Sequence, residues 1–141
     1  AGRLNDATPL FEETLEAQTR ILGPNHPNTL LSRNNLADAY RAAGRLNDAT
    51  PLFEETLEAR TRILGPNHPD TLGSRHNLAA AYRAAGRLND AIPLFEETLE
   101  ARTRALGPNH PDTLRSRNNL AMAYEAADKP FRPEEQPGTS T

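Results

Sequence analysis

Two residue types in this chain could do chemistry, and each recurs at a fixed spacing. Adjacent carboxylates stand at Glu12 and Glu13, Glu54 and Glu55, and Glu96 and Glu97, the residue type of general acid–base work. Histidines recur at His26, His68 and His110, the residue type of proton transfer and metal ligation. Each histidine has its counterpart in another repeat, and packed helices lie about 8–10 Å apart. Ligand bonds of about 2 Å therefore leave no metal within reach of two copies. The histidines precede Pro27, Pro69 and Pro111 and read as polar residues leading into a helix start. The carboxylate pairs read as a charged outer helix face. His76 stands alone, with no nucleophile at motif spacing. HExxH, GxxxxGKS/T and GxSxG are all absent. No catalytic residue, metal or cofactor is expected, and the chain reads as a non-enzyme.

The elements that position these residues follow from a repeat. Gly2, Gly44 and Gly86 each open the string GRLNDA, a period of 42 residues. Residues 2–43 and 44–85 differ at five positions, and 44–85 and 86–127 at six. Self-similarity of this degree predicts stacked units that bury their apolar faces against neighbours. In one period Leu72, Leu78, Ala79, Tyr82 and Ala85 share a side at helical spacing, which predicts helix A from Pro69 to Ala85. Pro69 suits a first turn, and Gly86 supplies the residue expected just past a helix end. Leu88, Ala91, Leu94, Phe95, Leu99 and Leu106 make a second stripe, helix B, from about Leu88 to Leu106. Glu100 and Arg104 are spaced i, i+4 on its polar face. Pro51 and Pro93 would break a hydrogen bond inside helix B, which favours an effective start near Asn47 and Asn89. The expectation is all-α: a right-handed α-solenoid of antiparallel helix pairs in the order B-A-B-A-B-A, spanning 1–127, with a proline-rich polar tail at 128–141.

Composition agrees. Hydrophobic residues are 36% and aromatics 5%, with no Trp, so Ala and Leu must carry the packing. A net charge of -3 with interspersed signs gives no field for nucleic acid and no polybasic segment for a membrane. Cysteine is absent, and no span or signal-peptide pattern is present. A cytoplasmic protein is expected. The opening residues match the middle of a repeat, as in a piece of a longer protein. Of 16 basic residues only Lys129 is lysine, a bias typical of GC-rich coding.

Leu78, Ala79 and Tyr82 on the first helix, Gly86 at the turn, and Leu88, Ala91 and Phe95 on the second resemble the tetratricopeptide repeat. The longer period resembles the 42-residue variety of kinesin light chains, nephrocystin-like proteins and the C-terminal regions of bacterial NB-ARC signalling ATPases. Arg33, Arg75 and Arg117 depart from the general pattern, which commonly has a bulky aromatic there. The resemblance implies a scaffold that holds a protein or extended peptide on the concave helix A face.

The copies also serve as controls for one another. Eight columns vary, and four of them lie on helix A: Leu31, Gly73 and Arg115; Asn34, His76 and Asn118; Asp38, Ala80 and Met122; Arg41, Arg83 and Glu125. Their spacing of i, i+3, i+7, i+10 confines them to one arc, away from Leu36 and Tyr40. Beside this stripe runs an invariant row of Asn35, Asn77 and Asn119. These amides could track a peptide backbone, or tie neighbouring helices together; both roles are open. Arg41 and Arg83 suit a carboxylate, Asp38 and Glu125 oppose them, and Met122 offers an adaptable apolar contact.

Self-association is the second expectation. The chain starts on a helix B and its periodic part ends on a helix A, so Leu114, Leu120 and Tyr124 should complement Leu4, Phe11 and Leu15 of another copy, head to tail. In the tail, Phe131 and its neighbours are expected to pack on an apolar helix end or in a groove.

Overall fold

The structure is a computed structural model that describes residues 2–127, with side chains from Ala7 onward. Phe131 and the tail expectation lie outside the described residues, as does the side chain of Leu4. Six helices follow in order: α1 (Gly2–Leu22), α2 (Pro27–Ala42), α3 (Leu46–Leu64), α4 (Pro69–Ala84), α5 (Leu88–Leu106) and α6 (Pro111–Ala126). Each packs on the next along the chain, giving an all-α solenoid in which α1, α3 and α5 are the B helices and α2, α4 and α6 the A helices.

The turns explain why the helices stop where they do. At the A-to-B turn, Arg45 N–H donates to the Tyr40 carbonyl at 2.8 Å and Gly44 N–H to that of Arg41 at 3.0 Å. This closure needs a left-handed residue, and Gly44 supplies it at φ 79°. Each A helix begins on a proline, and the histidine before it is the N-cap: Nδ1 of His26, His68 and His110 accepts from the backbone N–H two residues on, at 3.1, 3.0 and 3.1 Å. The recurring histidines thus satisfy an otherwise orphaned helix donor.

Helix B begins at Leu46 and Leu88, one residue before Asn47 and Asn89. Pro51 and Pro93 still fall inside the helix, six residues in, where the missing N–H leaves the carbonyls of Asn47 and Asn89 without their helical donor.

The core runs the length of the stack through Leu36, Ala37, Phe53, Leu78, Ala79, Phe95, Leu120 and Ala123, with Ala49 and Ala91 letting the helices approach. Threonine is a core residue here as well. Thr56 and Thr98 are fully buried because their hydroxyls donate to Leu52 and Leu94 carbonyls at 2.8 and 2.7 Å. Thr29, Thr71 and Thr113, also fully buried, donate to the carbonyls of Gln18, Arg60 and Arg102 at 3.3, 3.2 and 3.2 Å, pinning each helix A start to the preceding helix B.

Candidate interaction face

The carboxylate pairs lie on the outer face, as expected, and all of them but Glu13 also reach a partner in the scaffold. Glu12, Glu54 and Glu96 accept from the hydroxyls of Tyr40, Tyr82 and Tyr124, each at 2.5 Å. Burial, with the neighbouring carboxylate next, pushes the Tyr82 and Tyr124 phenols up to about 12. The second glutamates face the arginines that depart from the general repeat pattern: Arg33 meets Glu55 and Arg75 meets Glu97, both at 3.9 Å. The same guanidiniums donate to the Pro24 and Pro66 carbonyls at 3.3 and 3.2 Å. An arginine at this position latches a helix to its loop and to the next helix B.

The variable stripe lies along one side of α2, α4 and α6. A fifth variable column, Asn28, Asp70 and Asp112, also falls on these helices, because each A helix starts at its proline. Leu31 is 52% exposed and Met122 41%; Asp38, Arg41, Arg115, Asn118 and Glu125 are exposed, and Asn34, His76 and Arg83 half-buried. Arg41 is held by Asp38 at 2.6 Å, Arg115 by Asp112 at 3.4 Å, and Asn118 donates to Met122 Sδ at 3.6 Å. Of the invariant row, Asn35 is exposed and Asn77 and Asn119 half-buried. Asn77 Nδ2 donates to Asn34 Oδ1 at 3.2 Å, so this amide does tie α4 to α2.

That bond is not repeated one unit on. The counterpart of Asn34 is His76, whose ring meets Phe95 edge-on at 6.0 Å and whose buried Nδ1 has no hydrogen-bond partner. Burial, then the charges of Arg102, Arg115 and Arg83, hold its pKa down at about 4. The neutral ring is the form the fold accepts.

Sequence reasoning missed two further features. A cleft of 410 Å³ opens between α2, α3 and the start of α4, with Leu30, Leu31, Ile63 and Leu64 as apolar walls and Asn28, Arg60, His68 and Asp70 as polar ones. Its signal was the variable column Ile21, Ile63 and Ala105: with Gly73 and Ala105 in place of Leu31 and Ile63, the next unit lacks the walls. The second feature is Arg102, only 8% exposed, on Ser116 Oγ at 2.8 Å. The corresponding position is Gln18 in the first unit, which receives the Ser32 hydroxyl.

The end faces also differ from expectation. Leu120 is 1% exposed, because its column points back to the preceding helix B, as buried Leu36 and Leu78 do. The residues of α6 that lose cover are Leu114, 45% exposed against 3% and 4% for Leu30 and Leu72, together with Arg117, Ala121 and Tyr124. On α1 they are Leu10, 65% exposed, with Ala7, Phe11 and Thr14. Leu15 is half-buried like its counterparts and does not distinguish the end.

Among the described residues no group of His, Asp and Glu could hold a metal ion, and no helix is long and apolar enough to cross a membrane. Stacked helix pairs joined at glycine turns define a helical-repeat scaffold. The tetratricopeptide-repeat pattern matches residues 1–62, 34–104 and 73–130, and the chain belongs to the tetratricopeptide-repeat family. Its repeats are of the kinesin-light-chain-like kind. A protein from Podosopora anserina, described as carrying nearly identical TPR-like repeats of kinesin-light-chain type, aligns at TM-score 0.85 and 34% identity over 91% of this chain and 61% of that one. A point variant of that protein gives 0.80 and 35% over 90% and 60%. BtubC (BKLC) from P. vanneervenii shares the fold at TM-score 0.81 and 23% identity, over 90% of this chain and 51% of that one. The chain therefore spans between half and two thirds of the length of these solved relatives. No curated protein matches it. Repeats of this family mediate protein–protein interaction.

Proposed function

We propose that the chain holds a protein or an extended peptide along the face made by α2, α4 and α6. The observation that carries this reading is the confinement of copy-to-copy variation on these helices to one accessible arc, while the core and latch positions of the same helices stay fixed. A face under no packing constraint is free to be tuned to a ligand. Asn35 and Asn119 offer amides beside that arc, and the cleft at Leu31 and Ile63 offers an apolar seat. Replacing Asn77 and Arg83 with alanine should weaken a verified partner at least about tenfold. Unchanged affinity would sink the reading.

A second reading, head-to-tail stacking of copies, is favoured by the internal latches. Arg33 with Glu55 and Arg75 with Glu97 recur in register, which leaves Arg117 and Glu13 as the equivalent pair between two molecules, flanked by Leu114 and Leu10. Sedimentation equilibrium should show assembly growing with concentration and suppressed by Arg117→Glu. A strict monomer at millimolar concentration refutes it.

A further inference from the structure

Asn77 on α4 donates to Asn34 on α2 at 3.2 Å, so two successive A helices are bonded directly and not only through the B helix between them. The donor column of this rung is Asn35, Asn77 and Asn119, and the acceptor column is Asn34, His76 and Asn118. No bond joins Asn119 to His76, whose buried Nδ1 has no hydrogen-bond partner. Half a rung is left at each end of the stack. On α6, Asn118 is exposed, its Nδ2 turned to Met122 Sδ at 3.6 Å, and no described donor reaches its Oδ1. On α2, Asn35 is exposed where Asn77 and Asn119 are half-buried, and its side chain forms no hydrogen bond among the described residues. The latch is divided in the same way. The Arg33 and Arg75 side chains are each 12% exposed against Glu55 and Glu97. Arg117 is exposed, and Glu13 has no ion pair or hydrogen bond among the described residues. Thr14, at the α1 end, is exposed where Thr56 and Thr98 are fully buried. One placement of a second copy joins these halves. If it continues the 42-residue period beyond residue 127, its Asn35 stands to Asn118 as Asn77 stands to Asn34, and its Glu13 stands to Arg117 as Glu55 stands to Arg33.

We propose that a second copy joins the chain through two contacts at once, its α1 on the outer face of α6 and its α2 beside α6, with Asn35 of the second copy donating to Asn118 Oδ1. The occupant is a second copy because the chain holds the finished joint within itself, where α3 is latched to Arg33 and α4 is bonded to Asn34. The proposal rests on head-to-tail stacking and adds what stacking does to the partner face. The α2 helix of one copy continues the row of A helices of the other, so a partner passes from chain to chain without leaving that face. A partner that spans the joint binds two chains together and by mass action promotes their assembly. The rung itself adds modestly to affinity, since the net gain of one amide hydrogen bond is small, and its main effect is to fix the register in which the copies meet.

The test is a double-mutant cycle on the association constant, read by sedimentation equilibrium of the full chain. Asn118→Ala and Asn35→Ala change exposed positions at opposite ends of the molecule and should leave the unfolding midpoint unchanged. Each should weaken association about fivefold, the worth of one net hydrogen bond. The double variant should be no weaker than either single one, because both remove the same rung. Arg117→Glu, which reverses the latch, should weaken association at least about tenfold in every background. Single substitutions without effect, or effects that multiply in the double variant, overturn the contact between α6 and the second copy's α2. If Arg117→Glu still weakens association in that case, stacking through α1 stands without the continuous face. A strict monomer at millimolar concentration overturns the stacking and this proposal together.

Discussion

His76→Asn offers a graded test of the electrostatics at the second joint, because asparagine is the native residue at the matching position, Asn34. His76 titrates at 6.5 in the unfolded chain and at about 4 in the fold. A base held down in this way is neutral in the native state, and the unfolded chain takes up the proton first. Stability is therefore complete above 6.5, falls as pH drops through the interval, and has lost the whole term below about 4. Between about pH 7.5 and about pH 4.5 the linkage integral amounts to about 2.5 kcal/mol, or about 2 kcal/mol once the ring's partial exposure is allowed for. Asparagine does not titrate, and the new amide would be placed to pair with Asn119 as Asn34 pairs with Asn77. Urea unfolding of both proteins at the two pH values isolates the term, since every other titrating group is common to both. The wild type should lose about 2 kcal/mol more than the variant on acidification. Equal losses would refute the assignment of His76 as a neutral, destabilised base.

Four further outcomes follow from the packing, each read by denaturant unfolding. Phe95→Ala empties a site 1% exposed at the centre of the core and should cost about 3–5 kcal/mol. His68→Ala removes the acceptor of the Asp70 N–H and should cost about 1 kcal/mol, with a matching loss at His26 or His110. Gly86→Ala meets nothing within 4 Å, so its cost is the backbone strain at φ 78° alone, about 1–2 kcal/mol. Pro93→Ala, at an exposed position inside α5, returns a donor to the Asn89 carbonyl and should stabilise by about 1 kcal/mol.

Helix limits were legible because the punctuation recurs: Pro69 and Gly86 bracket α4, and the same signals bracket its neighbours. The apolar spacing of Phe95 and Ala91 likewise placed the buried side of α5. Which neighbour a residue faces was not legible, since that depends on how helices cross. Leu120 and Leu114 both lie on apolar positions of α6, yet the first turns back into the stack and the second faces away from it. Side chains that reach across two helices were equally hidden, as with Tyr82 on Glu54, Arg75 on Glu97 and Asn77 on Asn34. Spacing marked the variable stripe but could not show that Arg102, on a different helix, would lie close enough to His76 to act on its charge. The capping role of His68 was hidden because histidine is not a residue whose type announces an N-cap.

The claim that a partner lies along α2, α4 and α6 is tested most directly with a peptide selected from a random library on the immobilised chain and then labelled with a nitroxide. Paramagnetic broadening should fall on backbone amides of the A helices near Asn35, Asn77 and Asn119 and spare the outer side of α3 around Glu58 and Arg62. Broadening centred on that outer side, with the A helices untouched, would contradict the account.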